Sequence, residues 1–331
     1  AVVIDIKDFS GYIAYDSDLE EVEKYKAERH DIKDIDGPLG EAASCWLHSA
    51  LKNFANDLDN RFKAKLVLFP GTLLELLDSL APLADVGKIH WNRSYTPGSL
   101  ERDALYQSAF ESRGIDFEAH RGNLLHEPWL IHNSSRSPTA LQHFAPFQRA
   151  SLSDSLKVPA CIEAPSQIKS ASIKGLTHCS LDDLELVSNA DLQRSLLNFW
   201  DISEKAARDI LRAFVKDRMH HFEDSGEFPC VTATSKLSPY LQWGQISVRT
   251  VWEACADQTS VSAQLFRDQL LWRDFSYYTL FHDPSLVDQP HVKDFLKFPW
   301  NSESSRWESW TQGKTGYPLV DAGMRELQQT G

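Results

Sequence analysis

The hydrophobic positions of residues 1–130 alternate between short apolar runs and longer stretches with the period of a helix. The apolar runs predict strands at 2–6, 65–69, 88–91 and 115–120. The helical stretches lie at 42–58, 72–83 and 99–113, with Thr72 as an N-cap and Gly114 as a stop signal. Strands that alternate with helices are typical of a parallel sheet covered by helices. We therefore predict an α/β domain with a Rossmann-like parallel sheet over residues 1–130.

Beyond this domain the pattern changes twice. Residues 131–190 are rich in Ser and Pro and keep no period, which is typical of a long connector. From 191 to 331 the spacing is helical almost throughout and predicts no strand. The predicted helices lie at 191–198, 203–222, 239–243, 248–256, 261–281 and 320–329. We therefore predict an all-α domain after the connector.

The stretch 232–247 combines hydroxyl side chains with a helix start and a helix stop. The hydroxyls belong to Thr234, Ser235, Ser238 and Ser247. Ser238 suits the N-cap of a short helix with Pro239 in its first turn, Gly244 ends that helix, and Ser247 can cap the next one. Hydroxyls and unpaired N–H groups at a helix start can bind phosphate. On spacing alone, an ordinary capped corner is the better interpretation.

The helix predicted at 261–281 carries a second candidate group. Phe266, Gln269, Arg273 and Tyr277 recur at helical spacing and share one face. Trp272 follows Gln269 by three residues. An aromatic ring, an amide and a guanidinium on one face could bind a planar, charged ligand. A core-facing stripe in which Arg273 meets a carboxylate explains the pattern equally well.

Composition limits the class of protein. The net charge of −13 argues against a surface that coats DNA, although it leaves room for a local basic patch. Much of the acidity lies in 16–36, which we expect to be a solvated helix or loop. The five cysteines include no CxxC pair, so we expect no metal site and an intracellular, reducing compartment. No apolar run could span a membrane, so no membrane partner is expected.

Several short motifs resemble the DNA photolyase/cryptochrome family. They are WNRSY at 91–95, ERD at 101–103, LLHEPW at 124–129, FAPFQRA at 144–150, TSKLSPYL at 234–241, LLWRDF at 270–275 and GKTGYPLVDAGM at 313–324. The matches keep the family's order from about 38 to 331 and are nearest to its class I branch. The family's opening strand and its long C-terminal continuation have no counterpart here. We therefore expect the 331 residues to be incomplete at both ends.

The resemblance implies a light-driven flavoprotein with a truncated flavin-binding domain at 191–331. In the family, reduced and excited FAD gives an electron to a cyclobutane pyrimidine dimer flipped out of UV-damaged DNA, which splits the dimer. The implied activity is a carbon–carbon lyase, and the implied partner is damaged DNA bound by a monomer. Because much of the family's flavin cavity has no counterpart here, we expect this chain alone to be inactive and to retain FAD weakly.

The resemblance also implies site residues. Those that would hold the FAD phosphates and ribitol are Thr234, Ser235, Lys236, Leu237 and Ser238. Those that would line the flavin cavity are Phe222, Phe266, Gln269 and Arg273. Trp272 and Arg273 would face the DNA. Gln269 would lie near the lesion, and Trp300 would be the outermost tryptophan of the electron-transfer chain that reduces the flavin.

Some positions depart from the family pattern and keep a cryptochrome open as the alternative. Gln269 stands where class I photolyases commonly carry Glu, Phe222 stands where Tyr is usual, and 223–227 lacks the usual Arg. A cryptochrome shares the fold and FAD but senses blue light without repairing DNA. Ser99 lies near the place where the family carries an acid for a folate antenna. Whether a folate or deazaflavin antenna binds is therefore left open.

Overall fold

The structure is a computed structural model that describes residues 2–6, 9–15, 39–132, 140–169, 173–225, 228–301 and 303–331. The first two segments are described as backbone only. The acidic stretch at 16–36 lies outside the described residues. The predicted order of an α/β layer followed by helices is confirmed.

The α/β layer is built on a five-stranded sheet in the order β3-β2-β1-β4-β5. The strands are β1 (Val2–Ile6), β2 (Phe9–Tyr15), β3 (Val67–Phe69), β4 (Val86–Asn92) and β5 (Asp116–His120). The pairs β2–β3 and β4–β5 are parallel as predicted, but β1 is antiparallel to both of its neighbours. Only two residues separate β1 from β2, too few for the crossover that parallel strands require. The sequence prediction missed β2, whose apolar run is interrupted by Ser10 and Gly11.

Three helices accompany the sheet: α1 (Glu41–Phe62), α2 (Leu73–Leu80) and α3 (Pro97–Arg113). Thr72 caps α2 in a capping box, since its hydroxyl accepts from the N–H of Glu75 and the Glu75 carboxylate accepts from the N–H of Thr72. Gly114 ends α3 with a φ of 66°, a left-handed conformation that glycine adopts without strain. Apolar faces of α2 and α3 bury one face of the sheet around Ile89.

The second half is helical, and its described residues contain no ladder strand, as predicted. Its helices, with the connector helix first, are α4 (Phe144–Ser151), α5 (Ala190–Phe199), α6 (Glu204–Ala213), α7 (Phe222–Ser225), α8 (Ser238–Gln242), α9 (Val248–Ala254), α10 (Val261–His282), α11 (Ser304–Thr311) and α12 (Pro318–Thr330). A π-helical turn, Phe214–Arg218, interrupts the helix predicted at 203–222. Both Phe214 and Met219 are buried, and the wider turn brings these side chains, five residues apart, toward the same core.

Helix α1 links the two parts of the molecule. Its Trp46 lies in the core of the helical part, edge-on to Trp200 and Tyr240 at centroid distances of 5.5 and 5.2 Å. The Trp46 indole N–H donates to the side-chain oxygen of Gln245 at 2.9 Å. Edge-to-face aromatic contacts add to the free energy gained from burial. The helical part therefore takes two of its core residues, Trp46 and Leu125, from the segment predicted as the α/β domain. None of the described helices is long and apolar enough to cross a membrane.

Candidate functional site

The hydroxyl-rich stretch at 232–247 is a turn followed by α8 and α9. Leu237 occupies the N-cap of α8 and provides no side-chain cap, so the predicted N-cap role of Ser238 is wrong by one position. The chain is fixed instead by burial of Leu237 and Tyr240, whose hydroxyl donates to the Asp201 carbonyl at 2.7 Å. The predicted cap at Ser247 is confirmed, because its hydroxyl accepts from the N–H of Thr250 at 3.0 Å.

The burial of Leu237 leaves the neighbouring polar side chains at the surface. Thr234, Lys236 and Ser238 are exposed, while the Ser235 hydroxyl accepts from the N–H of Leu237 at 3.4 Å. Among the described residues, the hydroxyls of Thr234 and Ser238 have no hydrogen-bond partner. Lys236 has a φ of 58°, which is uncommon outside glycine and marks a tightly constrained turn. Two hydroxyl donors and an ammonium therefore face outward from one rigid turn.

Two contacts hold this turn against its neighbours. Arg218, at the end of the π-helical turn, donates to the carbonyl oxygen of Thr234 at 3.3 Å. The Lys236 ammonium lies 3.7 Å from the Glu326 carboxylate of α12. Exposed ion pairs of this kind contribute little to stability. The Lys236 ammonium can therefore exchange Glu326 for an anionic ligand at small cost.

Phe222 and Phe266 lie together, as is necessary if both line the same flavin cavity. Their rings contact at a centroid distance of 5.6 Å, and Phe214 packs on Phe266 at 4.6 Å. Phe266 is buried in this aromatic group, and Phe222 is partly exposed at its rim. In the described structure the Phe266 ring thus belongs to the core beneath the candidate site, and Phe222 is the ring nearer to solvent.

One partly exposed face of α10 carries Gln269 and Arg273, and the Arg273 side chain is only 22% exposed. Gln269 is exposed, and its amide has no hydrogen-bond partner among the described residues. Arg273 donates to both the backbone and the side-chain oxygen of Asn123, in the segment after β5, and lies over the ring of Tyr277. The expected carboxylate is nearby, since the oxygen of Asp274 lies 3.9 Å away. Arg273 therefore links α10 to the α/β layer, and its role toward DNA stays a prediction.

Trp272 lies on α10 next to Arg273 and forms a close stack. Its ring is parallel to that of Phe144 on α4, with centroids 3.9 Å apart and an interplanar angle of 8°. The residue remains 46% exposed. A rigid, partly exposed indole can stack on a nucleobase, which is compatible with the predicted DNA contact.

Asp274 is a residue that the sequence analysis missed. The side chain is fully buried, and one carboxylate oxygen accepts from the N–H groups of Leu125 and His126 at 2.9 and 3.1 Å. Burial raises the pKa of Asp274 to about 7, although the two N–H groups and Arg273 oppose the shift. Burial also lowers the pKa of His126 to about 4. This carboxyl joins α10 to the segment after β5 and thereby positions the face that carries Gln269 and Arg273.

Trp300 lies in a strongly exposed apolar segment. It is 71% exposed, packs on Phe298 at 4.7 Å, and donates its indole N–H to the Phe295 carbonyl. An exposed indole is accessible to solvent, as the predicted outermost electron-transfer role requires. Other large apolar side chains between 295 and 319 are also exposed, among them Phe295, Phe298, Trp307, Tyr317 and Leu319.

Ser99 lies near the place where the family carries an acid for a folate antenna, and its side chain does not face solvent. Ser99 is buried, and the Thr96 hydroxyl donates to its hydroxyl at 2.8 Å. The Ser99 side chain is therefore used within the fold.

The donors of the turn at 234–238 have the chemistry that binds phosphate, and the exposed Gln269 amide can donate and accept hydrogen bonds. The roles of these residues toward FAD stay predictions.

Most of the chain is similar in sequence to known proteins. Residues 24–166 match the model of the family described as DNA photolyase, and residues 266–331 match the FAD binding domain of DNA photolyase. A deoxyribodipyrimidine photo-lyase of Agrobacterium fabrum is 32% identical over 299 residues, covering 89% of this chain and 62% of the relative. Cryptochrome-2 of Arabidopsis thaliana is 29% identical over 310 residues, covering 88% of this chain and 50% of the relative.

A solved structure shows the same fold. The class III photolyase of Agrobacterium tumefaciens superposes with a TM-score of 0.83 at 30% identity, covering 97% of this chain and 63% of that protein. The chain thus spans less than two thirds of the length of these relatives. Both family models occur in the expected order along the sequence, with the motif at 124–129 inside the first match and the motif at 270–275 inside the second. The chain therefore belongs to the DNA photolyase/cryptochrome family.

Proposed function

We propose that the protein is a FAD-dependent deoxyribodipyrimidine photo-lyase that repairs cyclobutane pyrimidine dimers in UV-damaged DNA. The observation that carries the proposal is the match of 266–331 to the FAD binding domain of photolyase, since this segment includes the partly exposed face of α10. The Agrobacterium relative, which is named for this activity, supports the same reaction. The proposal includes a monomer that acts in an intracellular, reducing compartment.

Each group of residues has a distinct part in the proposed reaction. Thr234, Ser238 and Lys236 bind the FAD diphosphate with hydroxyl donors and positive charge. FAD held by these residues would supply the light-driven electron transfer that splits the dimer. Gln269 donates a hydrogen bond toward the lesion but cannot release a proton, because its side chain is an amide. Trp272 stacks against a base, so the flipped dimer is held near the flavin and away from water.

The reaction is tested with the whole protein loaded with FAD and reduced. A dimer-containing oligonucleotide is illuminated with blue light, and dimer loss is compared with a sample kept in the dark. The expected result is loss of dimers in the light only. Bound FAD with no loss of dimers in either sample would contradict the proposed repair.

A cryptochrome-type photoreceptor is the second candidate. Gln269 and the net charge of −13 favour it, and Cryptochrome-2 of Arabidopsis thaliana is a relative at 29% identity. Such a protein binds FAD and responds to blue light without repairing dimers. If the protein is a photoreceptor, it should bind FAD and repair no dimers. It should also bind DNA with and without dimers equally well.

The change Arg273→Ala should weaken the binding of dimer-containing DNA in the whole protein. Loss of one cation that contacts the phosphate backbone should reduce the slope of log K against log salt concentration by about one. The reduction should be the same for every DNA sequence, because phosphate contacts do not read bases. Binding is measured at a series of salt concentrations. Asn123→Ala is the matched control, because it removes the side-chain partner of Arg273 but keeps the backbone partner and the charge. A salt slope unchanged by Arg273→Ala would remove Arg273 from the DNA surface.

The change Trp300→Phe should slow the photoreduction of bound FAD, because phenylalanine is a much poorer electron donor than an exposed indole. Repair that starts from chemically reduced FAD should be unchanged, since it does not use this donor. Both rates are measured by flavin absorbance and by dimer loss. Trp307→Phe, at another exposed tryptophan, is the control. Equal slowing of photoreduction and repair would indicate a structural role for Trp300 instead.

A further inference from the structure

Three possible metal-binding side chains meet on the face of β4 and β5 opposite to the helix-covered core. They are His90, Glu118 and His120, and one ligand atom of each lies within 4.8 Å of the others. His90 Nδ1 and His120 Nε2 are 2.9 Å apart, and the two imidazole rings are nearly parallel. Glu118 Oε2 lies 3.9 Å from His90 Nδ1, and Glu118 Oε1 lies 3.6 Å from His120 Nδ1, the ring nitrogen that does not face His90. The cluster lies outside the candidate flavin site and is independent of it.

The strand register explains why these residues meet. Strands β4 and β5 are parallel, with His90 opposite Glu118 and Asn92 opposite His120. Alternate residues of a strand point to the same face, so His90, Glu118 and His120 share one side of this pair. Ile89 and Phe117, on the other side, pack into the core. The buried face thus fixes which residues point outward, and the parallel register fixes their spacing.

We propose that His90, Glu118 and His120 form a binding site for a divalent transition metal ion of the Zn²⁺ or Ni²⁺ type. Two imidazoles and one carboxylate are a donor set that such ions accept, whereas Mg²⁺ prefers oxygen ligands alone. Metal–nitrogen bonds of about 2.0–2.1 Å place two nitrogens about 2.9 Å apart at the right angle of a square-planar or octahedral site, which is the spacing of the two ring nitrogens, and about 3.3 Å apart at the tetrahedral angle of Zn²⁺. Water molecules complete the coordination on the exposed side.

The two histidine nitrogens already lie close together, and both rings must tilt for their lone pairs to converge on one ion. Two neutral imidazole nitrogens at this distance must share one proton, because one must donate and the other accept. A bound metal ion replaces that proton and accepts a lone pair from each ring. Glu118 is half exposed, so its carboxylate can turn toward the ion with little repacking. The metal then joins edge strand β5 to the neighbouring β4.

The Lys88 ammonium competes with a bound metal ion for the Glu118 carboxylate. Its ammonium lies 2.6 Å from the Glu118 carboxylate, on the same face of β4. A bound cation must share or displace this ion pair, and the like charges of Lys88 and the metal repel each other. Removal of the ammonium should therefore tighten metal binding, whereas a merely structural role of the cluster predicts no such gain.

The test measures Ni²⁺ and Zn²⁺ binding to the full chain by calorimetry, together with the thermal midpoint, and uses Mg²⁺ as the non-binding ion. One ion should bind and raise the midpoint. His120→Ala and Glu118→Gln should each weaken binding by about 10–100-fold or more. Lys88→Met should strengthen it. His178→Ala, which removes an exposed histidine outside the cluster, should leave it unchanged.

Three results would contradict the proposed metal site. One is the absence of Ni²⁺ and Zn²⁺ binding to the full chain. Another is binding that is equal in the full chain, His120→Ala and Glu118→Gln. The third is a thiolate absorption band with bound Co²⁺, which would place the ion on a cysteine such as exposed Cys230. The midpoints of the metal-free variants show whether they fold, and Glu118→Gln keeps the volume of the side chain.

Discussion

Asp274→Ala is expected to lower the free energy of unfolding by about 2–6 kcal/mol. The substitution removes the acceptor of two buried N–H groups, those of Leu125 and His126, and each unsatisfied buried donor costs about 1–3 kcal/mol. The contact between α10 and the segment after β5 should loosen as well. Urea denaturation gives the free energy. A loss below about 0.5 kcal/mol, typical of a surface substitution, would contradict this role.

Asp274→Asn separates the effect of the charge from that of the hydrogen bonds. The pKa of Asp274 is about 7 in the folded chain and lies near 3.8 when exposed, so its contribution to stability is complete at low pH and is lost as the pH rises toward 7. The amide oxygen can still accept from both N–H groups but does not titrate. Asp274→Asn should therefore gain stability relative to the parent chain as the pH rises.

His126 shifts stability in the opposite direction with pH. Its pKa is about 4 in the folded chain, below the ordinary value of 6.5, so its contribution is lost as the pH falls from 6.5 toward 4. In Asp274→Asn this loss on acidification should become visible. Unfolding is compared at about pH 5 and about pH 8, with Asp191→Asn as an exposed control. If the unfolding free energy of Asp274→Asn depended on pH in the same way as that of the parent chain, the raised pKa of Asp274 would be contradicted.

The double substitution Thr234→Ala with Ser238→Ala is expected to weaken FAD binding to the whole protein by about 100-fold or more. Each hydroxyl is exposed and without a partner in the described structure, so each is available to donate to a phosphate. A hydrogen bond to a charged group contributes about 1.5–3 kcal/mol, and 1.4 kcal/mol corresponds to a tenfold change in affinity. Binding is followed by the quenching of flavin fluorescence.

Ser188→Ala is the control for this experiment, because Ser188 is an exposed hydroxyl far along the sequence from the turn. It should leave FAD affinity unchanged. The hydroxyls lie beside buried Leu237 but are not themselves buried, so the double variant should keep its thermal midpoint. Unchanged FAD affinity in the double variant would remove the turn at 234–238 from the cofactor site.

Local signals predicted much of the fold. The N-cap at Thr72, the glycine stop at Gly114 and the cap at Ser247 were predicted from the sequence and are confirmed. The antiparallel placement of β1 was missed, because β2 has a weak apolar run with two small residues. The π-helical turn after α6 was missed as well, since it depends on where Phe214 and Met219 meet the core and not on a helix-breaking residue.

The candidate site depends more on distant contacts than on local pattern. The spacing on α10 predicted a shared face, and the contact of Arg273 with Tyr277 agrees with it. The partner of Arg273 is Asn123, which is 150 positions away, so no helical periodicity could indicate it. The same holds for Asp274, whose buried partners lie in the segment after β5. The metal cluster likewise required the register of two strands, because His90 and Glu118 are separated by a whole helix.

The most direct test of the central claim is light-driven dimer repair before and after removal of FAD from the whole protein. The protein is stripped of flavin, divided, and one part is reloaded with FAD and reduced. The reloaded part should split dimers under blue light and stop in the dark, whereas the stripped part should be inactive in both. Repair by the stripped part, or none by the fully reloaded and reduced part, would contradict the assignment of this chain to a FAD-dependent photo-lyase.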